Sequence, residues 1–216
     1  MMSASFILFD AFGTLLNIPE GRHPYRQILK EGIRQGRRPQ PNDLRQILTR
    51  NLGLSEAAEV FGIKIDDQLM TDIAGDLAAD IASITPFDDG LRAVERLRSE
   101  DVRVAIASNL AAPYGSAVRR LYPLMDAFGF SYSLGSMKPE PFLYRSTCEL
   151  MGASTDAIDS AQVLMVGDSK QCDRDGPGVI GINGFLLARD GRGEFSDLTQ
   201  FADFALRIFQ QPPSAD

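Results

Sequence analysis

The sequence predicts an α/β fold: a doubly wound parallel sheet with a small helical unit inserted near its N-terminus. Three observations predict it. Three short, nearly continuous apolar runs, Phe6–Phe9, Val102–Ala107 and Val163–Val166, have the composition of strands covered on both faces. Amphipathic helical patterns separate them, and alternation of strand with helix implies a parallel sheet. The stretch Leu16 to Ile84 departs from that alternation, with several helical patterns in succession and no strand pattern.

Taken in order, Phe6–Phe9 ends in Asp10, and a tight turn at Gly13-Thr14 follows at once. Helices are expected over Tyr25–Gln35, Pro41–Asn51, Ser55–Phe61 and Asp66–Ile81. Thr85-Pro86 marks the return to the sheet, because proline disfavours helix in the residue before it. Asp89–Arg98 carries Leu91, Val94 and Leu97 at three-residue spacing, a helical stripe. Val102–Ala107 ends at Ser108, and Pro113–Leu121 and Pro141–Met151 read as amphipathic helices. Val163–Val166 leads into Gly167-Asp168, Phe185–Leu187 is a further strand, and Ser196–Phe209 a last helix. The expected organisation is a core of residues 1–15 and 85–210, a helical unit of residues 16–84, and a disordered tail at 211–216.

A chain of 216 residues is long enough for one sizeable core with an insertion. The net charge of −7, with basic residues spread along the chain, argues against nucleic acid as a partner. The densest basic stretch, Arg34 to Arg38, reads as a solvated helix end. No apolar run approaches membrane-spanning length, and no basic region precedes the first apolar run as a signal peptide requires. Cys148 and Cys172 lack metal-ligand or redox spacing. The expectation is a cytoplasmic protein, monomer or homodimer, whose partner is a small molecule and neither nucleic acid nor membrane.

The polar residues at the strand ends carry the chemistry. A charge at the end of a buried strand is costly unless it is paired, metal-bound or reactive. Ligands of open parallel sheets bind at the strands' carboxyl ends. Asp10 is therefore a candidate nucleophile, set against the plainer reading of a turn cap. Asp168 and Asp173, five residues apart in sequence, would repel Asp10 unless a cation lay among them, and Mg²⁺ suits an all-oxygen donor set. The plainer reading of Asp173 and Asp175 is surface carboxylates, and that of His23 a surface residue.

Four segments in order resemble the signatures of the haloacid dehalogenase-like (HAD) hydrolase superfamily. They are Asp10-Ala11-Phe12-Gly13-Thr14-Leu15, the strand ending in Ser108-Asn109, Lys138-Pro139 with Glu140-Pro141, and Gly167-Asp168-Ser169 followed by Asp173. The resemblance runs from roughly Ser5 to Ala188 and is weakest between Leu16 and Ile84. It implies a Rossmann-like core with a helical cap formed by residues 16–84. It also implies that Asp10 is the nucleophile, with Thr14 orienting it. Ser108 and the N–H groups around Asn109 would bind a phosphoryl or carboxylate oxygen, and Lys138 would offset the negative charge. Mg²⁺ would be held by Asp10, the Phe12 carbonyl and Asp168, with Asp173 close by.

Phe12 departs from the phosphatase pattern, in which a second Asp protonates the leaving oxygen and then activates water. An aromatic residue at that position resembles the 2-haloacid dehalogenases, which use no metal and need a cap arginine for the halide. Arg45 lies at about the expected distance, with Arg38 and Arg50 as competitors. The Gly-Asp-Ser segment resembles instead the Mg²⁺-dependent members. The resulting expectation is a Mg²⁺-dependent phosphatase of a small phosphorylated metabolite, working through an aspartyl-phosphate. A metal-independent dehalogenase is the first alternative, and a catalytically impaired binding protein the second.

Overall fold

The computed structural model describes residues 4–19 and 21–210. Five strands form one parallel sheet: β1 (Phe6–Phe9), β4 (Arg103–Ser108), β5 (Ala127–Phe130), β6 (Val163–Gly167) and β7 (Asn183–Leu186), in the order β5-β4-β1-β6-β7. The central strand is β1. Its last residue, Phe9, pairs with Ile106 on one side and Val166 on the other, so the three polar strand ends are neighbours.

The apolar runs are nearly continuous because both faces are covered, Arg103 at the start of β4 being exposed. Ile7, Phe9, Val104, Ile106, Leu164 and Val166 face one buried cluster, against α5 (Asp88–Ser99) and α10 (Leu198–Gln210). Phe6, Leu8, Ala105, Ala107, Val163 and Met165 face the other, against α8 (Pro141–Leu150) and α9 (Thr155–Asp159). Side chains two apart share a face, as the pleat requires.

Between β1 and α5 the chain forms α1 (Pro24–Arg34), α2 (Asp43–Leu48), α3 (Leu54–Val60) and α4 (Asp67–Ser83). They enclose a separate cluster that includes Ile28, Ile47, Ala57 and Ile73 and also takes in Ala111 and Tyr114 from the sheet side. The Asp66 side chain caps α4, accepting from Leu69 N–H at 2.8 Å. The two chain crossings into this unit pair with each other as a short antiparallel ladder, β2 (Leu16–Asn17) with β3 (Thr85–Pro86). No strand is expected here from sequence, since two residues are too few for a periodic pattern.

Other differences are local. The helix expected over Pro113–Leu121 is a 3₁₀ turn, Ala112–Tyr114, leading into α6 (Gly115–Leu121). Strand β5 and the short α7 (Ser131–Leu134) are additional to the sequence reading. Gly129 interrupts the apolar pattern of β5, and a Cβ there would collide with the side chain of Thr147 on α8. In the basic stretch after α1, Arg37 is not merely solvated: it pairs with Asp43 at 2.6 Å and lies 4.9 Å over the Phe61 ring. The tail at 211–216 lies outside the described residues.

Candidate active site

Asp10 follows β1 directly, with its N–H donating to the Val166 carbonyl at 3.0 Å. The chain then turns back tightly, Gly13 N–H to Leu16 carbonyl at 2.8 Å. Gly13 has φ +83°, and a Cβ there would collide with the Asp168 carboxylate, so glycine meets both demands. Asp168 comes from the loop after β6. A π-helical turn over Lys170–Asp175 brings Asp173 back beneath the same strand end, where the Ser169 N–H donates to its Oδ2 at 2.9 Å.

Lys138, in the loop between α7 and α8, is only 2% exposed. Its Nζ donates to Asp10 Oδ1 at 2.5 Å and to Asp173 Oδ1 at 2.7 Å. Asp10, Asp168 and Asp173 each offer a carboxylate oxygen, all within 4.8 Å of one another. Three carboxylates against one ammonium leave two negative charges uncompensated. Burial pushes the Asp10 carboxyl up, Lys138 pulls it down, and Asp173 and Asp168 add to the rise, so it stands above the ordinary carboxylate range. Asp168 is open to solvent on one side; crowding by protein and then Asp173 raise it, against a smaller pull from Lys138. Burial alone would lower the Lys138 ammonium, but Asp10 and Asp173 together hold it above its usual value. An all-oxygen set short of two positive charges fits a hard divalent cation.

Ser108, the last residue of β4, is buried, and its strand pairs with β1, which leads into Asp10. The Asn109 side chain is engaged with the Lys138 loop: its Nδ2 donates to the Lys138 carbonyl at 3.0 Å and its Oδ1 accepts from the Lys138 N–H at 2.7 Å. Thr14 does not orient Asp10 through its hydroxyl. That group is buried without a hydrogen-bond partner among the described residues, while the Thr14 carbonyl accepts from Arg189 at 2.9 Å. Arg45 pairs with Glu140, which also accepts from the Ser136 hydroxyl at 2.7 Å, and Arg45 lies outside the cavity lining. Arg38 and Arg50 are exposed and equally outside it. Asp175 is an exposed partner of Arg174, at 2.7 Å.

Phe12 is half-buried and packs edge-on to Tyr114, ring centres 6.1 Å apart. These rings, with Asn109, wall a cavity of about 560 Å³ between the helical unit and the sheet. Asp80 of α4 also lines it and accepts from the Tyr114 hydroxyl at 3.1 Å. Sequence reasoning passed over both residues. The available signal was a carboxylate at position 80 in line with the apolar Ile73 and Leu77 of the helix face.

A parallel sheet whose central strand ends in a buried aspartate, with a lysine bridging to a second aspartate, is the framework of a hydrolytic enzyme built on strand-end carboxylates. The sequence pattern of the haloacid dehalogenase-like hydrolases matches residues 5–176, and the chain belongs to that family. Among solved structures it resembles a HAD phosphatase from Thermococcus onnurineus, at 19% identity and TM-score 0.62, over 93% of this chain and 97% of that one. It resembles a 2-haloacid dehalogenase from Pseudomonas syringae pv. Tomato at 15% identity and TM-score 0.66, over 95% and 100% of the two chains. A HAD family enzyme from Bacteroides thetaiotaomicron, in complex with magnesium and inorganic phosphate, aligns at 17% identity and TM-score 0.60, over 86% and 95%. At these identities the likeness concerns the fold. No curated protein matches the chain in sequence.

Proposed function

We propose that this hydrolase is a Mg²⁺-dependent phosphatase of a small phosphorylated metabolite, with residues 16–84 acting as a cap over the site. One observation carries the reading: Asp10, Asp168 and Asp173 converge with more negative charge than Lys138 offsets. Asp10, the Phe12 carbonyl and Asp168 would hold the ion, with Asp173 near it. When bound, the ion supplies Lewis-acid neutralisation of the phosphoryl oxygens and of the attacking carboxylate.

Asp10 attacks phosphorus, its oxygen forming a new P–O bond as the bond to the leaving oxygen breaks. Water then attacks the aspartyl-phosphate, releasing inorganic phosphate and restoring the carboxylate. Ser108 donates a hydrogen bond to a phosphoryl oxygen, and Lys138 holds the Asp10 carboxylate in place while countering its charge. Phe12 can neither protonate the leaving group nor activate water. Efficient substrates therefore have leaving oxygens that depart unprotonated, as acyl and aryl phosphates do.

The apolar wall of Phe12 against Tyr114 also favours a second reading, displacement of halide from a 2-haloacid by Asp10. A turnover screen of acetyl phosphate, p-nitrophenyl phosphate, alkyl phosphates and 2-haloacids, with and without Mg²⁺, tests both. Mg²⁺-dependent phosphate release, lost in Asp10→Asn, is the expected result; halide release indifferent to chelator would replace it with the second reading.

A further inference from the structure

We propose that the cavity beside Phe12 receives the organic body of the substrate and selects one that is apolar and uncharged, so that sugar phosphates and substrates with a second anionic group are excluded. This rests on the phosphatase reading. The cavity adjoins the reacting centre on two counts: Phe12 is two residues from Asp10, and Asn109 fastens the backbone of Lys138, whose Nζ bonds Asp10. Its volume of about 560 Å³ falls within the roughly 300–1,000 Å³ of small-molecule sites.

Its walls are mainly Phe12, Ile18, Leu29, Ile47, Leu48 and Leu110, drawn from both the helical unit and the sheet side. The one carboxylate in the wall, Asp80, already has partners on both oxygens: the Arg22 N–H at 2.8 Å and the Tyr114 hydroxyl at 3.1 Å. His23 and Arg26 are exposed and sit at the rim. A sugar placed here would bury hydroxyls against aliphatic carbon, and each unpaired one costs free energy. An anionic body would bury its charge among aliphatic side chains and near the Asp80 carboxylate, with the cationic Arg26 only at the exposed rim. An aromatic or branched aliphatic body meets neither penalty and gains from the area it buries.

The test uses phosphonates, which keep the phosphoryl-like head but cannot be hydrolysed. Affinities of methylphosphonate, benzylphosphonate and 3-phosphonopropionate are measured by calorimetry on the full chain at saturating Mg²⁺. Benzylphosphonate should bind roughly tenfold or more tightly than methylphosphonate, a difference of about 1.4 kcal/mol or more, and 3-phosphonopropionate no better than methylphosphonate. Leu48→Gln should bring benzylphosphonate down to the methylphosphonate level. Leu44→Gln, at a 60% exposed lining position where folding is not at stake, should reduce the same difference. Equal binding of the methyl and benzyl compounds, or preference for the propionate, overturns the inference while leaving the phosphoryl site standing. Failure of all three to bind overturns both.

Discussion

The side-chain amide of Asn109 grips the main chain of Lys138 from both sides, donating to its carbonyl at 3.0 Å and accepting from its N–H at 2.7 Å. A residue at the end of one strand thereby sets the loop that carries the ammonium between Asp10 and Asp173. Removing the amide in Asn109→Ala breaks two hydrogen bonds, worth together about 1–3 kcal/mol of stability. Urea denaturation should show that loss, and kcat should fall more than KM rises, because Lys138 acts on the nucleophile. Unchanged kcat would separate Asn109 from the placement of Lys138.

Lys138→Met leaves three carboxylates facing one another without an ammonium. Breaking a buried ion pair by removing one partner costs about 3–5 kcal/mol. Melting in the presence of chelator should drop accordingly. Mg²⁺ should then raise the melting temperature of the variant more than that of the unaltered protein, since the cation replaces the missing charge. An equal or smaller Mg²⁺ effect in the variant would contradict a cation site among these carboxylates.

Asp168 is the exposed member of the acidic set, and its side chain has room to change without disturbing the core. Calorimetric titration should detect Mg²⁺ binding to the unaltered chain and none to Asp168→Asn, with circular dichroism the same for both. Binding of equal strength in the variant would remove Asp168 from the site.

Phe12→Asp distinguishes the two chemistries by sign. On alkyl phosphates, whose leaving oxygen needs a proton, the new carboxyl should raise the rate, by up to roughly 10²–10⁴ if it is well placed. On 2-haloacids it should lower the rate, because a charge would stand in the wall that Phe12 forms with Tyr114. No effect on any substrate would point to a binding protein instead.

The two cysteines should differ in reactivity. Both are free; Cys148, on the inner face of α8, is buried against the sheet and Cys172 is partly open. Burial, followed by the nearby Glu149, pushes the Cys148 thiol up to about 12, so at pH 8 it is both protonated and covered. Titration with a thiol reagent should count one fast sulfur in the native protein and two in denaturant; two fast sulfurs would show that α8 opens readily.

Much of the fold was legible because the sheet is covered on both faces. Phe6–Phe9, Val102–Ala107 and Val163–Val166 are apolar at every covered position, with only the exposed Arg103 interrupting them, and such runs stand out against amphipathic helices. Strand β5 escaped because its glycine answers to a side chain on α8 rather than to a strand pattern. The β2–β3 ladder escaped because it is two residues long.

By itself the sequence determined which residues carry charge at strand ends: Asp10 closes one apolar run, Asp168 follows another, and Phe12 stands where a second carboxylate would serve acid–base chemistry. The tertiary structure decided which of the remaining polar residues join them. Lys138 and Asp173 lie 35 residues apart in the chain, yet the fold buries both and puts them 2.7 Å apart. Arg45 went instead to Glu140, the Thr14 hydroxyl to no partner among the described residues, and Asn109 to the backbone of Lys138. Asp80 and Tyr114 met across the boundary between helices and sheet. The physical reason is common to all of these. Composition and period report how a segment meets water and its immediate neighbours, whereas a side chain's partner depends on strand order and loop path, which bring together residues with no local sign of one another.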